Sequence, residues 1–302
     1  MVTKSIGRRK HKGIPISIGE RIFDATMVLI TFLICVIMIY PILFILKQSF
    51  SSSDTVGLAS LSLLPKEWSV DGYVFVLKNS NVWRGYANTI ARTVLSAVFG
   101  LIVSVGYAYP LSKPDLPHRR LLTLLIVVTM FVGGGTIPNY LLVSSLGLRN
   151  TIWCMVLPKL AKAYNIVIMR NFFMSLPREL DDAADIDGCN AIQTLVLIAL
   201  PLSTAILATI GLWIVVENWN AWFDCLLYVS DSRLYVIQVV LRKILIEASS
   251  EVQDRHAAAS SAVTEDVVKY CTIMVATVPI LMVYPFLQKF FVKGLIVGSL
   301  KG

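Results

Sequence analysis

From Ala25 to Leu46 the chain runs for 22 residues without a charged side chain, and such a run leaves few folds open. A helix needs roughly 20 apolar residues to cross the hydrocarbon core of a bilayer. This run lies too deep and is too long for a cleavable signal peptide, so it is expected to stay in the mature protein. Comparable windows lie near 86–111, 121–144, 151–173, 193–217 and 270–291, which with 22–46 makes six. They are continuously apolar rather than alternating, and a lipid-exposed backbone must satisfy its own hydrogen bonds, so helices are expected and a β-barrel is not. With 56% hydrophobic residues, 15% charged residues and a mean hydropathy of +0.71, the composition excludes an ordinary soluble domain. The expected fold class is all-α, a polytopic membrane bundle of six transmembrane helices.

Cytoplasmic flanks are enriched in Lys and Arg. The basic tail KSIGRRKHK therefore places the N-terminus inside, and with that choice the inner segments carry 14 basic residues against 10 on the longer outer ones. The chain divides accordingly into a cytoplasmic tail 1–21, a six-span domain 22–291 and a cytoplasmic tail 292–302. Outer loops fall at 47–84 and 218–269. The pI of about 9.3 then needs no nucleic-acid partner. Five scattered cysteines without C-x-x-C spacing read as packing residues, and no metal site is expected. No phosphate-binding, zinc-protease or serine-hydrolase motif is present. Gly133–Gly135 lies inside an apolar window with no lysine after it, so it reads as close packing or a bend assisted by Pro138. The chain is read as no enzyme, and any energy drawn from nucleotides must come from another chain.

Residues 179–201, ELDDAADIDGCNAIQTLVLIALP, set acids, alanines and a glycine between two apolar runs. Pro177 favours a first helical turn, and Glu179, Asp181 and Asp182 put negative charge where the helix dipole is positive. Gly188 supplies a residue free to take positive φ and end that helix. Asn190 and Gln193, spaced N-x-x-Q before an apolar run, read as the capping box of the next helix. Leu180, Ala183, Ala184 and Asp187 share one face, which reads either as a docking knob or as a solvated acidic connector. In segment 218–269, Ile237, Val240, Leu241, Ile244 and Leu245 follow helical spacing and predict an amphipathic helix on the bundle or at the interface. The SSEVQDRHAAASSAV that follows is small and polar.

Asp182-Ala183-Ala184, three residues, Gly188, nine residues and Ile198-x-Leu200-Pro201 match the EAA signature, E-A-A-x3-G-x9-I-x-L-P, of bacterial ABC-importer permeases. Asp182 stands in place of Glu, which keeps the charge and shortens the reach. MFVGGGTIPNYLLVSSLGLRNT (130–151), NIVIMRNFFMSLPREL (165–180) and YPFLQKFFVKGLIVGSLKG (284–302) resemble the carbohydrate-uptake permeases related to the maltose-transporter G subunit, oligosaccharide branch. The resemblance covers nearly the whole chain. It implies a type I ABC-importer permease in a bacterial cell membrane, with both termini cytoplasmic, importing a carbohydrate delivered by an extracellular sugar-binding protein. It also implies a second homologous permease subunit and two ATPase subunits, which hold ATP and Mg, with no cofactor on this chain. Residues 177–192 would form a coupling helix in the ATPase, with Glu179, Asp182, Ala183, Ala184, Gly188, Leu200 and Pro201 serving that joint, and Leu200-Pro201 supplying a local bend. The C-terminal tail would reach toward the ATPase, or else fray.

Sugars offer an apolar face for stacking and hydroxyls that need donors and acceptors. Trp219, Asn220 and Trp222 suit that chemistry, although each Trp also fits an aromatic belt at the membrane surface. Glu217 at a span end either lines an aqueous path or is paired, and Asn88 and Asn139 are further pathway candidates. Lys159 and Lys162 fall on one helical face of a predicted span. Three readings stay open for them: lining the pathway and favouring anionic sugars such as uronates, pairing with Glu217 or Asp224, or snorkelling outward. The competing functions are a permease for a non-sugar cargo, an ion-gradient-driven secondary transporter, which calls for acidic relays or paired broken helices in repeated halves, and a membrane-embedded enzyme, for which no catalytic constellation is present.

Overall fold

A computed structural model describes residues 18–56, 62, 64–255 and 264–299, with the backbone alone for 247–255 and 283–299. The basic N-terminal tail, residues 256–263 of the small polar stretch and the last three residues lie outside the described residues, as do the side chains of the C-terminal motif. Among the described residues the protein is helical, with a single antiparallel bridge between Ser51 and Trp68.

Helix α1, Ile18–Ser49, contains the uncharged run. Its side chains from 18 to 43 are all exposed, and it packs principally on α14, Glu265–Ser299. A helix apolar on every side and uncovered by its own chain suits lipid, where apolar surface carries no penalty for exposure. After the short α2, Asp71–Lys78, helix α3 runs unbroken from Ser80 to Ser112 and forms the centre of the bundle. Gly85, Thr89, Ser96, Gly100, Ser104 and Ala108 recur at helical spacing on its buried side. Small residues there let helices approach closely, and α3 packs against α7, α11 and α13, given below.

The window 121–144 becomes two helices, α4, Arg119–Phe131, and α5, Thr136–Ser145, bent by 113°. The glycine run makes the bend: residues 132–135 are non-helical and Gly135 takes φ 74°. The window 151–173 is also interrupted. It holds α6, Trp153–Val156, a tight turn Leu157–Lys159 and α7, Ala163–Met174. This corrects the placing of Lys159 and Lys162 on one helical face. Pro158 has no N–H to give a continuing helix, Lys159 ends the turn, and Lys162 has extended backbone (φ −82°, ψ 110°) at the start of α7.

The acidic stretch expected on the cytoplasmic side opens with α8, Glu179–Ile186. Then α9, Ala191–Thr194, continues through a wide π turn, Leu195–Ala199, into α10, Leu200–Leu202. Pro201 lacks the amide that an α-helical ladder requires there. At Ser203 the path bends by 82° into α11, Thr204–Asn220, so the bend expected at Leu200-Pro201 lies just beyond it. Helix α12, Phe223–Tyr228, precedes α13, Ile237–Arg255. The amphipathic reading of α13 holds: Ile237, Val240, Leu241 and Ile244 are buried against α2, α3 and α14 in one core, and Val239 faces a second core shared with α5, α6 and α12. A third core joins α3, α7 and α11. By length and apolarity two described helices, α1 and α3, can each cross a membrane, and the two bent pairs bring the number to four.

Candidate functional site

The α3 stripe of small residues is interrupted by Arg92, whose side chain is fully buried. A guanidinium in an apolar core needs its charge matched and its donors filled. Nη1 donates to Asp224 Oδ1 at 3.1 Å and to the Ala221 carbonyl at 3.2 Å, and Nη2 pairs with Asp224 Oδ2. Nε donates to Asn218 Oδ1 at 3.3 Å, and Asn218 is itself fixed by donating to the Ile214 carbonyl. Asp224 Oδ1 further accepts the Cys225 amide at 3.0 Å, and Oδ2 accepts Lys159 Nζ at 3.0 Å. Burial alone would raise the Asp224 pKa, but Arg92 and then Lys159 hold it below the ordinary carboxylate value, so the group is ionised.

Lys162 Nζ meets Glu217 Oε2 at 2.5 Å, with both side chains nearly half exposed. Of the three readings left open for the lysines, pairing is therefore the one the structure displays, and each lysine takes a different acid. The five groups sum to three cations and two carboxylates.

Two cavities flank this cluster. The first, about 470 Å³, is lined by Asn139, Lys159, Asn220, Trp222, Asp224 and Tyr228 among others. The second, about 450 Å³, is lined by Met130, Lys159, Lys162, Tyr164 and Glu217 among others. Lys159 stands on the wall of both. Of the pathway candidates, Trp219 and Asn88 line neither cavity. Trp219 is buried and donates from Nε1 to the Ala276 carbonyl at 3.3 Å, against Tyr86. Asn88 donates to the Arg233 and Tyr235 carbonyls and ties α3 to the turn before α13. Trp222 presents a face to the Arg242 guanidinium, 4.2 Å from the ring centre. Arg92 was missing from the sequence reading, although a lone cation inside the apolar window 86–111 was itself the signal.

About 31 Å further along α3, at 1.5 Å per residue, lies the acidic stretch 179–201. Glu179, Asp181 and Asp182 occupy the first turn of α8, and Gly188 takes φ 75° just beyond its end. The capping box forms in full: Asn190 accepts the Ile192 and Gln193 amides, and Gln193 accepts the Asn190 amide at 2.8 Å. Lys113 at the end of α3 holds both Asp181 oxygens at 2.6 Å. Burial would lower the Lys113 pKa, but Asp181 and Tyr109 raise it overall. One expectation needs correction. Ala184, placed with Ala183 on a common docking face, is 2% exposed and packs inward. Ala183 and Asp187 of that face are exposed, together with Glu179, Asp182, Asp185 and Ile186, and Ile186 is 86% exposed.

The described residues thus form a helical bundle with apolar, membrane-length helices, paired charges along two open cavities, and a polar helical turn at the far end of α3. Residues 81–228 match the family described as binding-protein-dependent transport system inner membrane component. Protein LplC of Bacillus subtilis (strain 168) is 38% identical over 93% of this chain and 96% of its own. The polygalacturonan/rhamnogalacturonan transport system permease protein YtcP of the same strain is 36% identical over 94% of this chain and 99% of its own. A chain from the crystal structure of a bacterial ABC transporter involved in the import of the acidic polysaccharide alginate superposes with a TM-score of 0.84 at 32% identity, covering 91% of this chain and 98% of that one. The chain belongs to the inner-membrane components of binding-protein-dependent transport systems, the permease subunits of ABC importers. It is a multi-pass membrane protein of that class.

Proposed function

We propose that this chain is a permease subunit of an ATP-driven importer for acidic oligosaccharides, those carrying uronate units. The observation that carries the reading is the surplus cation of the charge cluster, with half-exposed Lys159 on the wall of both cavities. The polygalacturonan and alginate named for the relatives are acidic polymers, which supports the same cargo class. Cavities of this size suit a small ligand or part of a longer one.

In this reading six spans cross the membrane and both termini are cytoplasmic. Helix α8 seats in a partner ATPase through its outward Asp182, Ala183 and Ile186, while Ala184 fixes it to its own bundle. Glu179 adds to the acidic first turn, and Gly188 with the capped start of α9 makes the connection to α11 stiff. Leu200 and Pro201 lie in α10, between the wide turn and the bend at Ser203. ATP and Mg reside on the two ATPase subunits and the chemistry of hydrolysis is theirs. A second permease completes the pathway, and the family's dependence on a binding protein supports delivery of the sugar from outside. Asn139, Asn220 and Trp222 supply hydrogen bonds and a stacking face along the first cavity.

The test is uptake by cells carrying the intact importer, comparing a labelled uronate trisaccharide with the neutral sugar made by reducing its carboxylates. Preferential uptake of the uronate, lost when the gene is deleted, is expected. Preference for the neutral sugar, or for neither, contradicts the cargo class.

A further inference from the structure

The two lysines on the cavity walls are not equivalent. Asp224 keeps four contacts, three of them from Arg92 and the Cys225 amide, so it stays paired and hydrogen-bonded if Lys159 departs. Glu217 has a different position. Lys162 is the cation it meets, and both line the second cavity, so withdrawing Lys162 would leave a carboxylate facing any incoming anion. Like charges brought together in a confined site repel strongly.

From this asymmetry we propose that Lys159 is the residue that reads the substrate's carboxylate, and that Asp224 holds it in reserve until the sugar arrives. The deduction deepens the acidic-sugar reading and rests on it. Lys159 Nζ is held on Asp224 Oδ2, and Arg92, Asp224 and Lys159 together keep one net positive charge for an incoming carboxylate. A sugar carboxylate takes Nζ from Asp224 Oδ2, and the ionised Asp224 stays paired with Arg92, so no buried charge is stranded by the exchange. Lysine suits the task because its ammonium is a point charge on a flexible stem that swings without losing a planar fork. The Lys159 side chain is 42% exposed and ends the tight turn after α6. Its position on both walls lets one residue meet carboxylates on either side. Release is equally simple, since Asp224 remains in place to take the ammonium back.

The test uses the assembled importer in proteoliposomes, with partner permease, ATPases and binding protein, and reads the ratio of uronate-trisaccharide uptake to uptake of its carboxyl-reduced counterpart. In Lys159→Gln the ratio is expected to fall about fivefold, as for loss of a partly exposed charge contact. Lys159→Arg, which keeps the charge, is expected to restore most of it, and Lys162→Gln is expected to move it less than about twofold. Equal loss of both sugars in Lys159→Gln, or a ratio shift in Lys162→Gln as large as in Lys159→Gln, overturns the assignment to Lys159. A wild-type importer that does not prefer the uronate overturns the cargo reading itself, a result separable from the first because it is seen before any substitution.

Discussion

Arg92 and Asp224 are each other's principal counter-charge, and Arg92 has no exposed surface at all. Removing the guanidinium leaves the buried carboxylate with only half-exposed Lys159 and the Cys225 amide, a change that costs up to about 3–5 kcal/mol. Arg92→Met is therefore expected to lower the thermal midpoint of the purified complex clearly, while the double substitution Arg92→Met with Asp224→Leu recovers a large part of the loss. Equal damage from single and double variants would show that the pair does not hold the site. The Lys162–Glu217 pair is half exposed, so its contribution is screened and worth about 0–1 kcal/mol. Lys162→Gln should leave the midpoint within about a degree. The pH dependence follows from the depressed Asp224 pKa. A lowered folded value means the stabilisation is present above the ordinary carboxylate pKa of about 4, and is lost only as pH falls through the lower folded value. Between pH 5 and 8 this group should contribute no slope to a stability profile.

At the scale of elements, the joint between α8 and α9 was legible in the sequence because short-range chemistry determines it. An acidic first turn, a glycine past the helix end and an N-x-x-Q box each act within four residues, and all three form. Gly188→Val places a β-branched residue at φ 75°, at a cost of about 1–2 kcal/mol. The chain should still reach the membrane, with reduced co-purification of the ATPase and little uptake; wild-type co-purification and uptake would count against α8 as the joint. The interruptions were less legible. Apolar content reports that residues 151–173 belong in a membrane, not whether their backbone stays helical, and Pro158 was the local sign that it does not. Ala184 was misplaced for a related reason: helical spacing groups residues on a face but does not say which way the face turns, and Lys113 pulling on Asp181 helps set that rotation.

Across the whole molecule, α3 is the element that relates the two ends. It is continuous from Arg92 in the charge cluster to Ser112, capped by Lys113 beside α8, and α7, α11 and α13 are the helices packed most extensively along it. On the proposed function, a movement of α8 is passed to α3 through the Lys113–Asp181 pair as well as to α11 through the capped turn. The class of the protein was legible in its apolar windows and in the spacing of Asp182, Gly188 and Pro201. The charge cluster was legible only in part, since it joins residues 92, 159 and 224 that lie far apart along the chain and meet only in the fold. Breaking the Lys113–Asp181 pair with Lys113→Ala is expected to weaken the link between ATP hydrolysis and uptake, read as more ATP spent per sugar moved. An unaltered ratio would confine the coupling to the α8–α9 turn.

On the proposed function this chain passes an acidic sugar inward under the drive of partner ATPases. The most direct measurement is uptake of a labelled uronate trisaccharide by proteoliposomes containing the assembled complex, with ATP inside and binding protein outside supplied separately and together. Uptake is expected only when both are present. Uptake driven by an ion gradient in the absence of ATP would contradict it.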